Sequence, residues 1–138
     1  GSGAEQVQLK QYLIENPTLP ITFHVEVSRE QIHYELTKYD IAIIPLVNRI
    51  YGSVPSKIFE YAKLGLPILY FGGGEGETIV KKHNLGWVAS AGNYKDLNLV
   101  ISEIHRADIT NAFKNNIKKT AQKNFCYSTQ LSQIITMI

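Results

Sequence analysis

The sequence predicts an α/β sandwich built around a parallel sheet. Two patterns point there: short apolar runs bounded by Pro and Gly alternate with segments of helical period, and each run is too brief to be a helix. With 138 residues, 44% of them hydrophobic, the chain has the size of one domain. A chain of that length buries roughly two thirds of the surface its unfolded form exposes.

Each element has its own signal. Ala4 to Glu15 sets Val7, Leu9, Tyr12, Leu13 and Ile14 among polar residues, a helix that Pro17 and Pro20 end. Ile21 to Val25 is β-branched and aromatic and reads as a strand carrying His24 as a core histidine; Ser28 and Gln31 then form a capping box. The helix that follows has an apolar stripe of Ile32, Leu36 and Tyr39, and runs into Ile41 to Leu46, an unbroken apolar run read as a central strand buried on both faces. Beyond a loop from Val47 to Val54, Pro55 is placed as the first residue of a helix over Ser56 to Leu64, which Gly65 stops.

Pro67 to Phe71 is a second buried strand, Gly72 to Gly76 a flexible loop, and Thr78 to His83 a short helix closed by Asn84 and Gly86. Trp87 to Ala89 makes a last strand. Asn93 caps a helix with Leu97, Val100, Ile101 and Ile104 on its buried side, Asp108 caps another built on Phe113, Ile117 and Ala121, and Ser128 starts a final one. The order begins with a helix where a doubly wound domain begins with a strand, so an upstream strand is expected outside this segment.

Composition narrows the function. One cysteine, Cys126, rules out an internal disulfide and a cysteine-rich zinc site, and the four histidines lack ligand spacing. Fourteen Lys and Arg against twelve Asp and Glu leave a net charge of +2, too small to suggest a dedicated polyanion binder. The lysines at 114, 118, 119 and 123 read as a solvated surface, and no nucleic-acid partner is expected. No run of about 18 apolar residues exists to span a membrane. Residues 1–3, Gly1-Ser2-Gly3, have the look of an expression-tag scar rather than a signal peptide, which leaves 4–138 as the domain.

In open α/β sheets ligands sit beyond the carboxyl ends of the strands, where loops lead into helix starts. The loop through Gly52, Ser53 and Val54 is one such place, and Lys57 falls in the opening turn of the helix behind it. A cation there opposes the macrodipole by a few tenths to roughly 1 kcal/mol, and an anion at the same end reverses the sign. Backbone N–H groups, the Ser53 and Ser56 hydroxyls and the Lys57 ammonium would together cradle a phosphate, with Glu60 one turn on to accept hydrogen bonds from ribose hydroxyls. Lys57 and Glu60 as a solvated surface pair is the competing reading, and the residues alone leave both open. Gly72 to Gly76 reads as a mobile loop, since it lacks the spacing of a phosphate loop. Tyr51 and Tyr61 read as packing residues.

The stretch Gly52-Ser53-Val54-Pro55-Ser56-Lys57-Ile58-Phe59-Glu60-Tyr61-Ala62-Lys63-Leu64-Gly65-Leu66-Pro67-Ile68 resembles the nucleotide-sugar motif of the group 1 glycosyltransferases, family 4. Upstream, Thr22 to Ser28 and Tyr39 to Leu46 are similar to the strand, helix and strand leading into that motif; downstream, Gly86-Trp87-Val88 and the helix from Asn93 resemble its closing segment. The resemblance covers residues 20 to 105 and is most specific in the middle.

It implies a Rossmann-like three-layer sandwich, the C-terminal, donor-binding half of a two-domain GT-B enzyme whose acceptor domain lies N-terminal to this segment. Carried over by position, Glu60 matches the glutamate that binds the donor ribose, Ser53 and Val54 the loop meeting the diphosphate, Lys57 a further phosphate contact, and Val27 the start of the base-binding loop. Gly52 stands where many members have a second glutamate, eight positions before Glu60, and Val25 where members often have glycine. No residue is therefore assigned to catalysis. The implied activity is transfer of a sugar from a nucleoside diphosphate, UDP being the commonest, to an acceptor hydroxyl, with retention and without an essential metal or other cofactor. The implied setting is surface polysaccharide assembly in the cytoplasm, at the inner face of the membrane by peripheral association. A nucleotide-sugar 2-epimerase half and a non-catalytic α/β interaction module are the alternatives.

Overall fold

A computed structural model describes residues 3–47 and 52–126. The expected loop residues 48–51, Tyr51 among them, and the expected helix from Ser128 lie outside the described residues. The chain divides into two units, Gly1–Glu35 and Leu36–Ile138.

In the first unit, α1 (Gln6–Glu15) and α2 (Arg29–Leu36) bury none of their residues. The capping box is present: Gln31 N–H donates to Ser28 Oγ and Ser28 N–H donates to Gln31 Oε1, both at 3.3 Å. The strand expected at Ile21 to Val25 is absent; the segment carries no ladder, Val25 is 68% exposed, and His24 is exposed rather than in a core. β-Branched residues favour a strand because they fit a half-buried pleated surface, and no described strand pairs with this segment. The stripe on α2 also fails, with Ile32 and Tyr39 both exposed.

The second unit is α/β with a three-stranded parallel sheet. Its strands β1 (Ala42–Pro45), β2 (Ile68–Phe71) and β3 (Gly86–Val88) lie in sequence order, with Ala42 opposite Ile68 and Ile68 opposite Gly86. The crossovers are α3 (Ser56–Leu64) and α4 (Gly74–Lys82). Successive steps in one direction put both helices on one face, where Ile58 and Ala62 of α3, Val80 of α4, and Ile117 and Ala121 of α6 (Asn111–Asn124) close over Ile44, Ile68 and Tyr70. Phe125, just past α6, sets its ring edge-on to Phe59 at 5.0 Å and to His83 at 5.1 Å, which ties α3, α4 and α6 together. The opposite face takes α5 (Tyr94–Glu103), through Tyr94 against Phe71 at 5.5 Å and Ile101 and Ile104 beside Ile43 and Leu69.

Several sequence expectations shift. β1 is the edge of the described sheet, not a central strand, and Ile43 is 49% exposed. Ala42 N–H donates to Pro67 O and Leu46 N–H to Phe71 O, so Ile43 and Pro45 turn their backbone groups outward. A proline has no N–H to give to a ladder, and an outward edge position is where a strand tolerates one. Pro55 holds the N-cap position, with φ −59° and ψ 124°, one residue before the helix it was expected to open. α4 takes in Gly74, Glu75 and Gly76, which the sequence assigns to a loop. The helix can start early because Gly76 sits against the Tyr70 phenol, where a Cβ would collide with the hydroxyl. Thr110 caps α6 by accepting from Phe113 N–H at 3.1 Å, while Asp108 ends a short 3-10 turn and accepts from His105 N–H at 2.9 Å. None of the residues of α5 is fully buried, because the face it covers extends to the open edge at β1.

Other expectations stand. Gly65 ends α3 in the left-handed region at φ 69°, and Asn93 caps α5 by accepting from Asp96 N–H at 3.0 Å.

Gly86, at φ 150°, is the tightest point of the β2–β3 pairing: a Cβ there would overlap the Ile68 carbonyl oxygen. Gly86→Ala is expected to destabilise the fold by at least about 3 kcal/mol, since strain and backbone overlap act together. Urea unfolding of the two proteins measures it, and a loss below about 1 kcal/mol would mean that the strand shifts freely.

Candidate functional site

Three helices start at the carboxyl edge of the sheet, and their opening turns differ in charge. α5 is satisfied internally: Asn93 caps it, and Asp96 in its first turn accepts from Ser90 N–H at 2.6 Å. α4 begins at Gly73, with φ 65° and ψ −169°, and carries Glu75 and Glu77 in its first turn, Glu77 being held by Lys81 at 2.6 Å. Negative side chains there already answer the positive helix end. α3 has neither device. Pro55 offers no side-chain cap, no acid lies in the first turn, and Lys57 does.

The first N–H groups of such a helix have no partner within it. Ser56 and Lys57 are exposed, and Glu60 follows about 6 Å along the axis from Ser56, also exposed. Neither Lys57 nor Glu60 forms an ion pair with the other or with another described residue. Both side chains stay exposed to solvent. Before the helix, Gly52 is at φ 73°, Ser53 is exposed, and Val54 packs on the core cluster, which fixes where the loop joins α3. Behind it, Tyr61 packs on the same cluster. Burial pushes its phenol above the ordinary value, and the neighbouring Glu60 charge adds to the rise.

Gly52, Ser53, Val54, Ser56, Lys57 and Glu60 are thus gathered at one helix start. Val27 belongs to the first unit, where it lines a shallow cleft of about 540 Å³ with Glu30, Gln31, Tyr34 and Glu35. Sequence reading missed the contribution of Gly73 and Gly74, whose turn delivers α4 to the same sheet edge as α3. The signal was present in three consecutive glycines directly after a buried strand. Tyr70 fixes that turn by donating its hydroxyl to Gly73 O at 3.1 Å.

Among the described residues, no group of three His, Cys, Asp or Glu side chains is arranged to hold a metal. No described helix is long and apolar enough to cross a membrane. No protein-family model matches the chain, and no curated protein matches it either.

Asp96 gives the site edge a measurable acid limit. The Ser90 backbone N–H holds its carboxyl below the ordinary aspartate value, helped by the Ser90 side chain. The folded state therefore binds fewer protons than the unfolded one. Its contribution is fully present above the unfolded value, about 3.9, and is lost as pH falls from there through the folded value. An NMR titration is expected to place the Asp96 midpoint below that of a free aspartate. Asp96→Asn should weaken exchange protection of the Ser90 amide at neutral pH, and an unshifted midpoint would contradict the bond.

Proposed function

We propose that this chain is the donor nucleotide-sugar-binding domain of a GT-B glycosyltransferase. The observation carrying the proposal is the start of α3: uncapped by a side chain, free of acids, opened by Lys57, and placed at the carboxyl edge of a parallel sheet. The motif resemblance supplies the ligand class. The diphosphate of the donor takes the first N–H groups of α3, the Ser53 and Ser56 hydroxyls and the Lys57 ammonium. The ribose hydroxyls reach Glu60.

In the transfer step, the bond between the anomeric carbon and the diphosphate oxygen breaks. A bond from the acceptor oxygen to that carbon forms, and the acceptor's proton passes to the departing diphosphate oxygen. Negative charge grows on the departing diphosphate, so donors already aimed at it stabilise the transition state more than the ground state. Lys57 and the α3 N–H groups perform that work in this reading. Gly52 leaves the sugar end without a carboxylate from this loop, and the acceptor site belongs to a separate N-terminal domain. The isolated domain accordingly binds nucleotide without turnover.

Lys57 separates function from stability. Its cation opposes the α3 dipole, so Lys57→Ala is expected to stabilise the unliganded protein by about 0.3–1 kcal/mol. The same change should weaken UDP or GDP binding roughly tenfold by removing a charge-assisted bond. Glu60→Ala should weaken binding by a similar factor while leaving free pyrophosphate binding unchanged. Urea unfolding of the unliganded proteins tests the first expectation, and calorimetric titration with UDP, GDP and pyrophosphate tests the other two. A wild-type domain that takes up no nucleotide at millimolar concentration rejects the donor-site reading.

A further inference from the structure

A cleft of about 320 Å³ opens at the far end of α3 from the candidate site, between the close of α3, the start of α6 and the turn after α2, all within the second unit. Leu36, Leu64 and the buried Leu66 give it an apolar floor. One side of α6 gives it a polar wall. Asn111, Lys114, Asn115 and Lys118 fall three and four residues apart, so they stand in one stripe beside the core-facing Ile117 and Ala121.

Gly65 brings that wall in. It closes α3 at φ 69°, and a Cβ there would lie 2.7 Å from the Lys114 carbonyl oxygen and 2.8 Å from Lys118 Cγ. α6 therefore packs on bare backbone, and the Lys118 stem lies against the end of α3.

Charge in the cleft is one-sided. No carboxylate lines it. The Lys114 side chain, 30% exposed, has Asp40 at 3.8 Å, a carboxylate it shares with Arg106 at 3.5 Å. Among the described residues Lys118 has no ion pair, and the side chains of Asn111 and Asn115 make no hydrogen bond. Like charges four residues apart destabilise a helix, and a dianion seated between Lys114 and Lys118 reverses that sign.

The lining selects the ligand. Two ammonium groups and two side-chain amides on one wall match the several oxygens and the double charge of a phosphate group. The leucines beneath them suit a small organic body, and the volume stands at the lower end of the range for small-molecule sites. We propose that this cleft binds a small phosphate monoester, its phosphate held by Lys114, Lys118 and the two asparagine amides and its body laid over the leucines.

Titration of the whole chain with phenyl phosphate, followed by amide NMR shifts, tests the proposal. Saturable shifts are expected at Gly65 and along residues 111–118, and phenol should produce none there. Inorganic phosphate should bind about fivefold more weakly, having no apolar body to bury. Lys118→Gln keeps the Cγ that lies against Gly65 and should weaken binding about tenfold. Asn115→Asp, which sets a carboxylate in the cleft, should abolish binding, and Lys119→Gln, outside the cleft, should leave it unchanged. Both glutamine variants relieve repulsion along α6 and should melt no lower than wild type. The proposal is overturned if these amides show no saturable shift up to about 10 mM ester, if Lys118→Gln binds as wild type does, or if inorganic phosphate binds as tightly as the ester. Equal weakening by Lys119→Gln and Lys118→Gln also overturns it, since that marks a diffuse charge effect. UDP affinity should stay unchanged in Lys118→Gln and Asn115→Asp, which keeps this test separate from that of the donor site.

Discussion

The arrangement depends on how Tyr70 is buried. Its ring lies in the middle of β2, 1% exposed, under α4 and against the residues of α3 and α6. A buried phenol needs a partner for its hydroxyl, and the partner is the carbonyl of Gly73, on the turn that leaves the strand. The same ring leaves no room for a Cβ at position 76. One side chain thus sets the depth of α4 and the path of the β2–α4 turn. Replacing it with a smaller residue would open a cavity and orphan the carbonyl together.

The carboxyl edge is likewise packed from behind where it carries the candidate site. α3 is anchored by Ile58 and Ala62, both fully buried, so Ser56, Lys57 and Glu60 project from a helix whose inner face is packed. Val54 anchors the incoming loop on the same cluster. A phosphate cradle made of backbone N–H groups works only if those groups are fixed before the anion arrives, since reorganising them at binding would consume the interaction. The burial behind α3 meets that requirement with ordinary apolar contacts.

How much of this could be read from the sequence depended on whether a signal was local. Asn93, Gly65 and the Ser28–Gln31 box act through their own neighbours, and each reads directly from the residues. Tertiary pairing decided the rest. Ile21 to Val25 has the composition of a strand, but composition supplies no ladder partner. Ile41 to Leu46 reads as a buried central strand because it is apolar, yet Pro45 carried the contrary signal: a missing N–H fits an outward edge better than a shared ladder. The triple glycine after β2 reads as a loop until Tyr70 and Gly76 are seen to need each other. At the site, residue types and spacing point to the start of α3, while the contrast with α4 depends on that helix beginning early enough to put Glu75 and Glu77 in its first turn.

Departures from local rules are not spread evenly over the molecule. The chain caps α5 and α6 with Asn93 and Thr110, places acids in the opening turn of α4, and closes α3 with a left-handed glycine. It therefore uses helix-terminus chemistry where stability alone is at stake. At the start of α3 it places a proline without a cap and a lysine against the dipole, and along α6 it places lysines four apart without a carboxylate between them. Both choices cost local stability, and neither is required by the packing behind it, since Ile58, Ala62, Ile117 and Ala121 would be buried with any polar residue on the opposite side. Local rules broken without a packing reason are expected where a ligand or surface restores the balance. An anion at the start of α3, as proposed for the donor diphosphate, would be such a compensation, turning an unfavourable charge placement into a favourable one by the same electrostatics that makes it costly in isolation.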